Sequence, residues 1–243
     1  MKTEEVQAFY DKKIRGEYKC KYEHERWFST PMRKAQYEMT KDTLLYLLNL
    51  EEKQYSKVLE VGPGPGTWTK LLIEKNSHAR FTLVDVSKEM LSLARDNLEG
   101  FSVQFIHSGF LESKLNDRYD FFFSSRAIEY IQDKKAYIEK ISALTNPSAS
   151  GIIITKNPKY GRVLFRRRKI SALHRNQIKP KILQKLLREA GFEILCIVPV
   201  TLHFPFINNS HIDKILFSLF GKRSLTLISG FFAESYSIYF KKI

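Results

Sequence analysis

Cysteine is scarce. The 243 residues hold two, Cys20 and Cys196, far apart and without a metal-ligand spacing. That rules out a disulfide framework, suits a reducing compartment and gives no reason to expect a metal. Cys196 lies in "EILCIVPV", which reads as a buried strand with the thiol as core filler. Long apolar runs are also lacking. No uncharged run approaches the ~18 residues of a spanning helix. The N-terminal "MKTEEVQAFYDKK" has no apolar stretch of signal-peptide type. A cytoplasmic location is therefore expected. No internal repeat or low-complexity tract is visible. Acidic residues run short in the second part of the chain. Residues 151–243 carry 17 Lys and Arg against 4 Asp and Glu, a net of +13, whereas residues 1–150 carry 23 against 22, a net of +1. The second part is expected to touch something anionic, an acceptor or a membrane surface met from the cytoplasmic side. A solubilising basic face is the plainer alternative.

What is present is 43% apolar residues, enough for one sizeable core, and strands that alternate with helices. "KVLEVG" (57–62) reads as a β-branched buried strand ended by glycine, and "TWTKLLIEKN" (67–76) as the helix after it. "RFTLVDVS" (80–87) is a second strand, and Ser87 caps the helix "KEMLSLARDNL". "SVQFIHS" (102–108) is a third strand. "YDFFFSS" (119–125) is a fourth, apolar throughout and so covered on both faces. A helix near 133–144 leads to the strand "GIIITKN" (151–157). A helix from Pro180 to Gly191 leads to strands at 192–200 and 234–243. An amphipathic helix near 32–50 precedes them all. The alternation predicts an α/β, doubly wound, mostly parallel sheet of about seven strands with helices on both faces.

The stretch "VLEVGPGPGTWT" (58–69) carries the chemistry. Glycines between a strand and a helix let a ligand approach the backbone, and the helix N-terminus supplies free N–H groups. Asp85 ends the second strand, where a carboxylate accepts both hydroxyls of a ribose. A nucleoside-containing cofactor follows. The dinucleotide pattern G-x-G-x-x-G fails, because its last glycine would fall on Thr67. The pattern is instead E-x-G-x-G-x-G. Glu60, two residues before Gly62, would oppose a pyrophosphate and suit a ligand with an ammonium group.

"LEVGPGPG", "LVDVSKEML", "YDFFFSS" and "GIIITKNP", in this order, resemble the class I (Rossmann-like) S-adenosylmethionine-dependent methyltransferases. The resemblance implies seven strands with the last one antiparallel, and S-adenosyl-L-methionine as cofactor. It implies that Gly62, Pro63, Gly64 and Gly66 pack on the methionine part. Glu60 would serve the ammonium directly or through water, Asp85 would hold the ribose, and Val86 would pack on the adenine. Backbone near Ser124 would line the methionine side. Many relatives carry an acid after the third strand; here Ser108, Gly109 and Phe110 stand there and must meet the adenine edge.

One methyltransferase domain spanning 1–243 is expected, with an N-terminal helical cap (about 1–50) and acceptor-side insertions (about 158–180 and 203–232). N-terminal segments of relatives close over the cofactor, so His24, Arg26, Trp27 and Arg33 are candidate lining residues, Arg33 for the cofactor carboxylate. Beyond the fourth strand, Glu129 is the candidate general base and Arg126 its neighbour three residues back; an ion pair shaping the loop is the alternative. The basic cluster Arg166, Arg167, Arg168 and Lys169, interleaved with apolar residues, and the apolar segment 203–232 read as an acceptor lid or membrane-facing patch, with a helical extension of the core as the plainer alternative. His174 and His203 are further acceptor-side candidates. The expected reaction is methyl transfer, at oxygen, to a small glycan- or lipid-linked anionic acceptor. An RNA methyltransferase is the alternative, weakened because "SSRA" stands where an Asn/Asp-Pro-Pro-aromatic signature would be. A non-catalytic scaffold with the same fold is the third reading.

Overall fold

The computed structural model describes residues 3–18, 21–51, 53–165 and 176–243. Helix α1 (Thr3–Lys13) and two short π-helical turns (Ile14–Tyr18, His24–Phe28) precede α2 (Pro31–Asn49). Thr30 caps α2 by accepting from the Arg33 backbone N–H, with Pro31 at the first helical position. The sheet and its helices follow as β1 (Lys57–Val61), α3 (Thr67–Lys75), β2 (Arg80–Asp85), α4 (Lys88–Asn97), β3 (Val103–His107), β4 (Tyr119–Ser125), α5 (Lys134–Leu144) and β5 (Thr145–Lys156). Then come the one-turn α6 (Gly161–Leu164), α7 (Pro180–Glu189), β6 (Phe192–Leu202), α8 (Ser210–Phe220), α9 (Leu227–Phe232) and β7 (Ala233–Lys242).

The strands form one seven-stranded sheet in the order β3-β2-β1-β4-β5-β7-β6. β7 runs antiparallel to both of its neighbours, and the other pairs are parallel. The fold is therefore the doubly wound, mixed sheet expected. Successive strand residues point to opposite faces, and β4 shows why an all-apolar run suits this place. Phe121 and Phe123 join the core that includes Leu44 and Leu47 of α2 and Leu71 of α3. Phe122 joins the opposite core with Tyr137 and Ile141 of α5 and Leu183 of α7.

Two expectations need correction. β5 begins at Thr145 rather than 151, because Thr145 pairs with Tyr119 and a bulge then shifts the register to Phe121–Ser150. "EILCIVPV" is not uniformly buried. β6 is an edge strand, so Glu193 and Leu195 are exposed and Cys196 is half-buried. Segment 203–232 contains two helices, α8 and α9. Its buried side rests on Leu202 and Ala233 through Leu216, with Phe204, Phe217 and Phe232 around them. The cluster 166–169 and His174 lie outside the described residues.

Gly151 marks the tightest point of the sheet. A Cβ there would stand 2.5 Å from the Phe240 ring and 3.2 Å from Cβ of Phe122. Gly151→Val should overpack this core and cost about 1–3 kcal/mol. Urea unfolding should show a lower midpoint with an unchanged slope; an unchanged midpoint would mean that the sheet can open around the added methyls.

Candidate functional site

The C-terminal ends of β1, β2 and β4 converge on a cavity of about 1060 Å³. The turn between β1 and α3 forms one wall. Gly62, Gly64 and Gly66 all have positive φ, and the Gly62 N–H is tied to the Val84 carbonyl at 2.9 Å. Gly62 and Gly64 are glycines for different reasons. A Cβ at Gly62 would meet Cβ of Ala127 at 2.6 Å, so the turn touches the loop after β4. A Cβ at Gly64 would meet nothing within 4 Å and would project into open space beside the cavity-lining backbone. Gly66 lies behind the wall against Leu98 and starts α3.

Asp85 lines the cavity at the end of β2. One carboxylate oxygen accepts from the Gly64 N–H at 3.2 Å and the other from the Ser87 N–H at 2.9 Å. Loss of water pushes its carboxyl up to about 6, against the pull of those N–H groups. Asp85 thus faces the glycine turn across the cavity floor. Pro63, Val86, Ser108, Gly109, Phe110, Arg33 and Arg126 also line it. The Ser108 hydroxyl donates to the Gly109 carbonyl at 3.0 Å, and Arg33 bonds the Ser29 hydroxyl at 2.8 Å.

Several candidates sit elsewhere. Glu60 is buried beneath the turn and does not line the cavity. Its carboxylate accepts from the Thr69 hydroxyl at 2.8 Å, and burial pushes it up to about 8. Through Thr69 it ties the start of α3 to β1 beneath the turn. Ser124 is buried against the Tyr137 hydroxyl at 3.1 Å; its neighbour Ser125 reaches the cavity. Glu129 is buried, and its Oε1 is held by Arg126 Nε and the Lys156 backbone N–H, both at 2.9 Å. The ion pair shapes the loop, and Glu129 does not line the cavity. His24 is exposed, and His203 is buried against Asp213. None of the described residues from 203–232 lines the cavity, because α8 rests on α2 and β6 and α9 on β6 and β7.

Other groups enter from elements distant in sequence. α1 brings Tyr10, whose hydroxyl pairs with that of Tyr130 at 2.6 Å. Asp11 fastens α1 to the start of α4 by accepting from the Ser87 hydroxyl at 2.6 Å. Arg26 lies over the Trp27 ring at 4.0 Å; burial, then the neighbouring Arg126, pull its guanidinium down. Two like charges in one cavity favour an anion between them. Arg126 holds φ of 65°, a left-handed conformation strained for a non-glycine residue. Lys156 and Glu234, 3.6 Å apart, close the far side, with Gln36 bonding Glu234 at 3.0 Å. Lys156 and Glu234 were open to discovery as charged residues at the cavity end of otherwise apolar strands; Tyr10 and Gln36 depend on how the helices return.

The sequence family described as "Methyltransferase domain" matches residues 58–148. Malonyl-[acyl-carrier protein] O-methyltransferase of Acetivibrio thermocellus is 33% identical over 100 residues, covering 41% of this chain and 35% of that protein. The chain thus spans about a third of the length of this relative. Among solved structures, magnesium protoporphyrin IX methyltransferase from Synechocystis PCC 6803 superposes over 100% of both chains with a TM-score of 0.65 at 13% identity. The N-methyltransferase NodS from Bradyrhizobium japonicum WM9, in complex with S-adenosyl-L-homocysteine, gives 0.58 at 12% identity over 99% of this chain and 96% of its own.

The two raised carboxyls set a pH dependence. Well below its usual 4.5, Glu60 is protonated in both folded and unfolded chains. From there up to about 8 the folded chain keeps a proton that the unfolded chain has released. Stability contributed by this group is therefore lost as pH rises across that interval, and Asp85 adds to the loss up to about 6. Glu60→Gln should flatten the fall, read by urea unfolding at a series of pH values. A variant as pH-dependent as the parent would show that Glu60 titrates normally.

Proposed function

We propose that this chain is a class I S-adenosylmethionine-dependent methyltransferase, a reading supported by the methyltransferase-domain match over residues 58–148 and by the fold, and that it methylates an oxygen of a small anionic acceptor. The observation that carries this reading is one cavity joining a glycine turn and Asp85 to two arginines, Arg26 and Arg126. Its volume suits a nucleoside-linked amino acid with an acceptor beside it. The open space at Gly64 suits close approach of a ligand to the backbone.

In this reading Asp85 accepts the ribose hydroxyls and the Gly62–Gly66 turn packs on the methionine part. Val86 and the Ser108–Phe110 turn flank the adenine, and Arg33 meets the carboxylate. Glu60 acts through Thr69 and the turn rather than by contact. α1, the turn that carries Arg26 and the first half of α2 would act as a cap over the cavity they line, with α1 held at α4 by Asp11. The bound cofactor supplies a methyl group already activated by a positive sulfur. The chain has to align an acceptor oxygen and strip its water. Arg26 and Arg126 would hold an acidic group at this place. A carboxylate oxygen attacks with its own lone pair, so no proton has to be removed. That agrees with Glu129 being committed to Arg126 and with Tyr10 and Tyr130 phenols that burial pushes well up. The Acetivibrio relative, named for an acidic acyl group on a carrier, supports an acceptor of the same chemical kind. A lipid- or glycan-linked acid is the form proposed here.

The test is transfer of labelled methyl from S-adenosylmethionine to malonyl thioesters, acidic lipids, lipid-linked sugars and RNA. Label is expected in an acidic small or lipid-linked fraction, as a base-labile ester. Label confined to RNA would replace this reading. Arg26→Gln should raise the acceptor KM about tenfold or more without changing cofactor affinity. Asp85→Ala should weaken S-adenosylhomocysteine binding by about 2–3 kcal/mol in calorimetry, and Gly64→Val should abolish it in a folded protein. Undiminished binding in both variants would place the cofactor elsewhere.

A further inference from the structure

Beside the cavity lies a surface that methyl transfer does not use. Phe165 and Phe206 pack as tilted rings with centroids 4.9 Å apart, and Phe165 meets Phe231 edge-on at 5.9 Å. A Cβ at Gly161 would stand 2.9 Å from Phe231 and 3.1 Å from Pro205, so α6, α9 and the loop after β6 form one packed layer. Helical spacing puts Leu227 and Ile228 on the face of α9 that carries Phe231. Leu227 is 93% exposed and Ile228 64%, and Leu164, Phe165, Phe206 and Ile207 are each about half exposed.

The exposed charges carried by the segments that build this layer are of one sign. No carboxylate occurs between Glu139 and Glu189. Between Glu193 and Glu234 there is only Asp213, which is buried against His203. Lys159, Lys222 and Arg223 are exposed around it. The layer also adjoins the cavity. Asn157, which follows the lining residue Lys156, donates to the carbonyls of Gly230 at 2.9 Å and Ala233 at 3.2 Å, and the next residue, Glu234, lines the cavity again.

We infer that this face docks on an anionic lipid bilayer and turns the cavity toward it. Single Leu, Ile and Phe side chains projecting beside Lys and Arg fit a fluid interface, where apolar groups sink below the headgroups and cations remain among them. A folded protein partner would need a matching socket for each. Docking stands on the surface alone; its use, to present a lipid-borne acid to Arg26 and Arg126, rests on the methyl-transfer reading.

Cosedimentation of the full chain separates the outcomes, using phosphatidylcholine vesicles with and without one third phosphatidylglycerol. Binding is expected only with the anionic lipid and should weaken with salt. Leu227→Ser with Ile228→Ser, and separately Lys222→Asn with Arg223→Ser, should each lower affinity at least about tenfold. Asn suits Lys222, whose φ is 61°. Circular dichroism and S-adenosylhomocysteine calorimetry should match the parent in both variants, which separates lost docking from lost fold or a failed cofactor site. The inference is overturned if the parent binds no vesicles, binds neutral ones equally, or binds undiminished after the Leu227 and Ile228 changes. It is also overturned if the parent is a dimer that these changes dissociate, since a second copy would then cover the face, or if an acidic protein holds the parent more tightly than vesicles do.

Discussion

The contact between Gly62 and Ala127 is the constraint around which the site is built. With no room for a Cβ at Gly62, the first turn of the sheet can lie directly against the loop after β4. That loop is fixed independently. The Arg126 N–H bonds the Ile154 carbonyl at 2.8 Å, and Glu129 reaches the Lys156 N–H from the other side. Three strands, β1, β4 and β5, are thereby registered at their cavity ends by short contacts rather than by long side chains. The strained φ of Arg126 is tolerated because both its backbone and its guanidinium are held.

Electrostatics follows from that packing. The buried carboxylates are not equivalent. Glu129 has the Arg126 guanidinium and the Lys156 backbone N–H, whereas Glu60 accepts from the Thr69 hydroxyl and is pushed toward its protonated form by burial. Asp85 is held by two backbone N–H groups, and burial still pushes it up. The same cavity is lined by Arg26 and Arg126, so its wall carries charges of both signs, which give a bound ligand a preferred orientation.

The sheet and the glycine wall were legible because they rest on local rules. β4 announced itself as a doubly covered strand by its run of phenylalanines, and Ser87 and Pro180 marked helix starts where they stand. Side-chain direction is what spacing does not give. Glu129 follows the fourth strand as a candidate base should, yet its side chain is buried in the core. Spacing cannot reveal that a carboxylate's partner is the backbone N–H of Lys156. Nor can it reveal that α1 returns to place Tyr10 against Tyr130, a contact between residues 120 positions apart. The apolar segment 203–232 was visible as unusual, but its composition did not distinguish a lid from two helices that rest on α2, β6 and β7.

The strand order has a consequence for how the chain reaches this state. β6 bonds only β7, and β7 lies between β5 and β6 although it comes later in the chain. During synthesis β6 emerges first and finds no edge to join, because the place beside β5 belongs to a strand not yet made. Until then its unpaired backbone and the free edge of β5 both remain open to pairing with other chains. Closing the sheet is therefore a late event that needs β7 to enter between two waiting strands. The open interval exposes the Ile-rich edge of β5, and a nascent chain is most vulnerable to aggregation there.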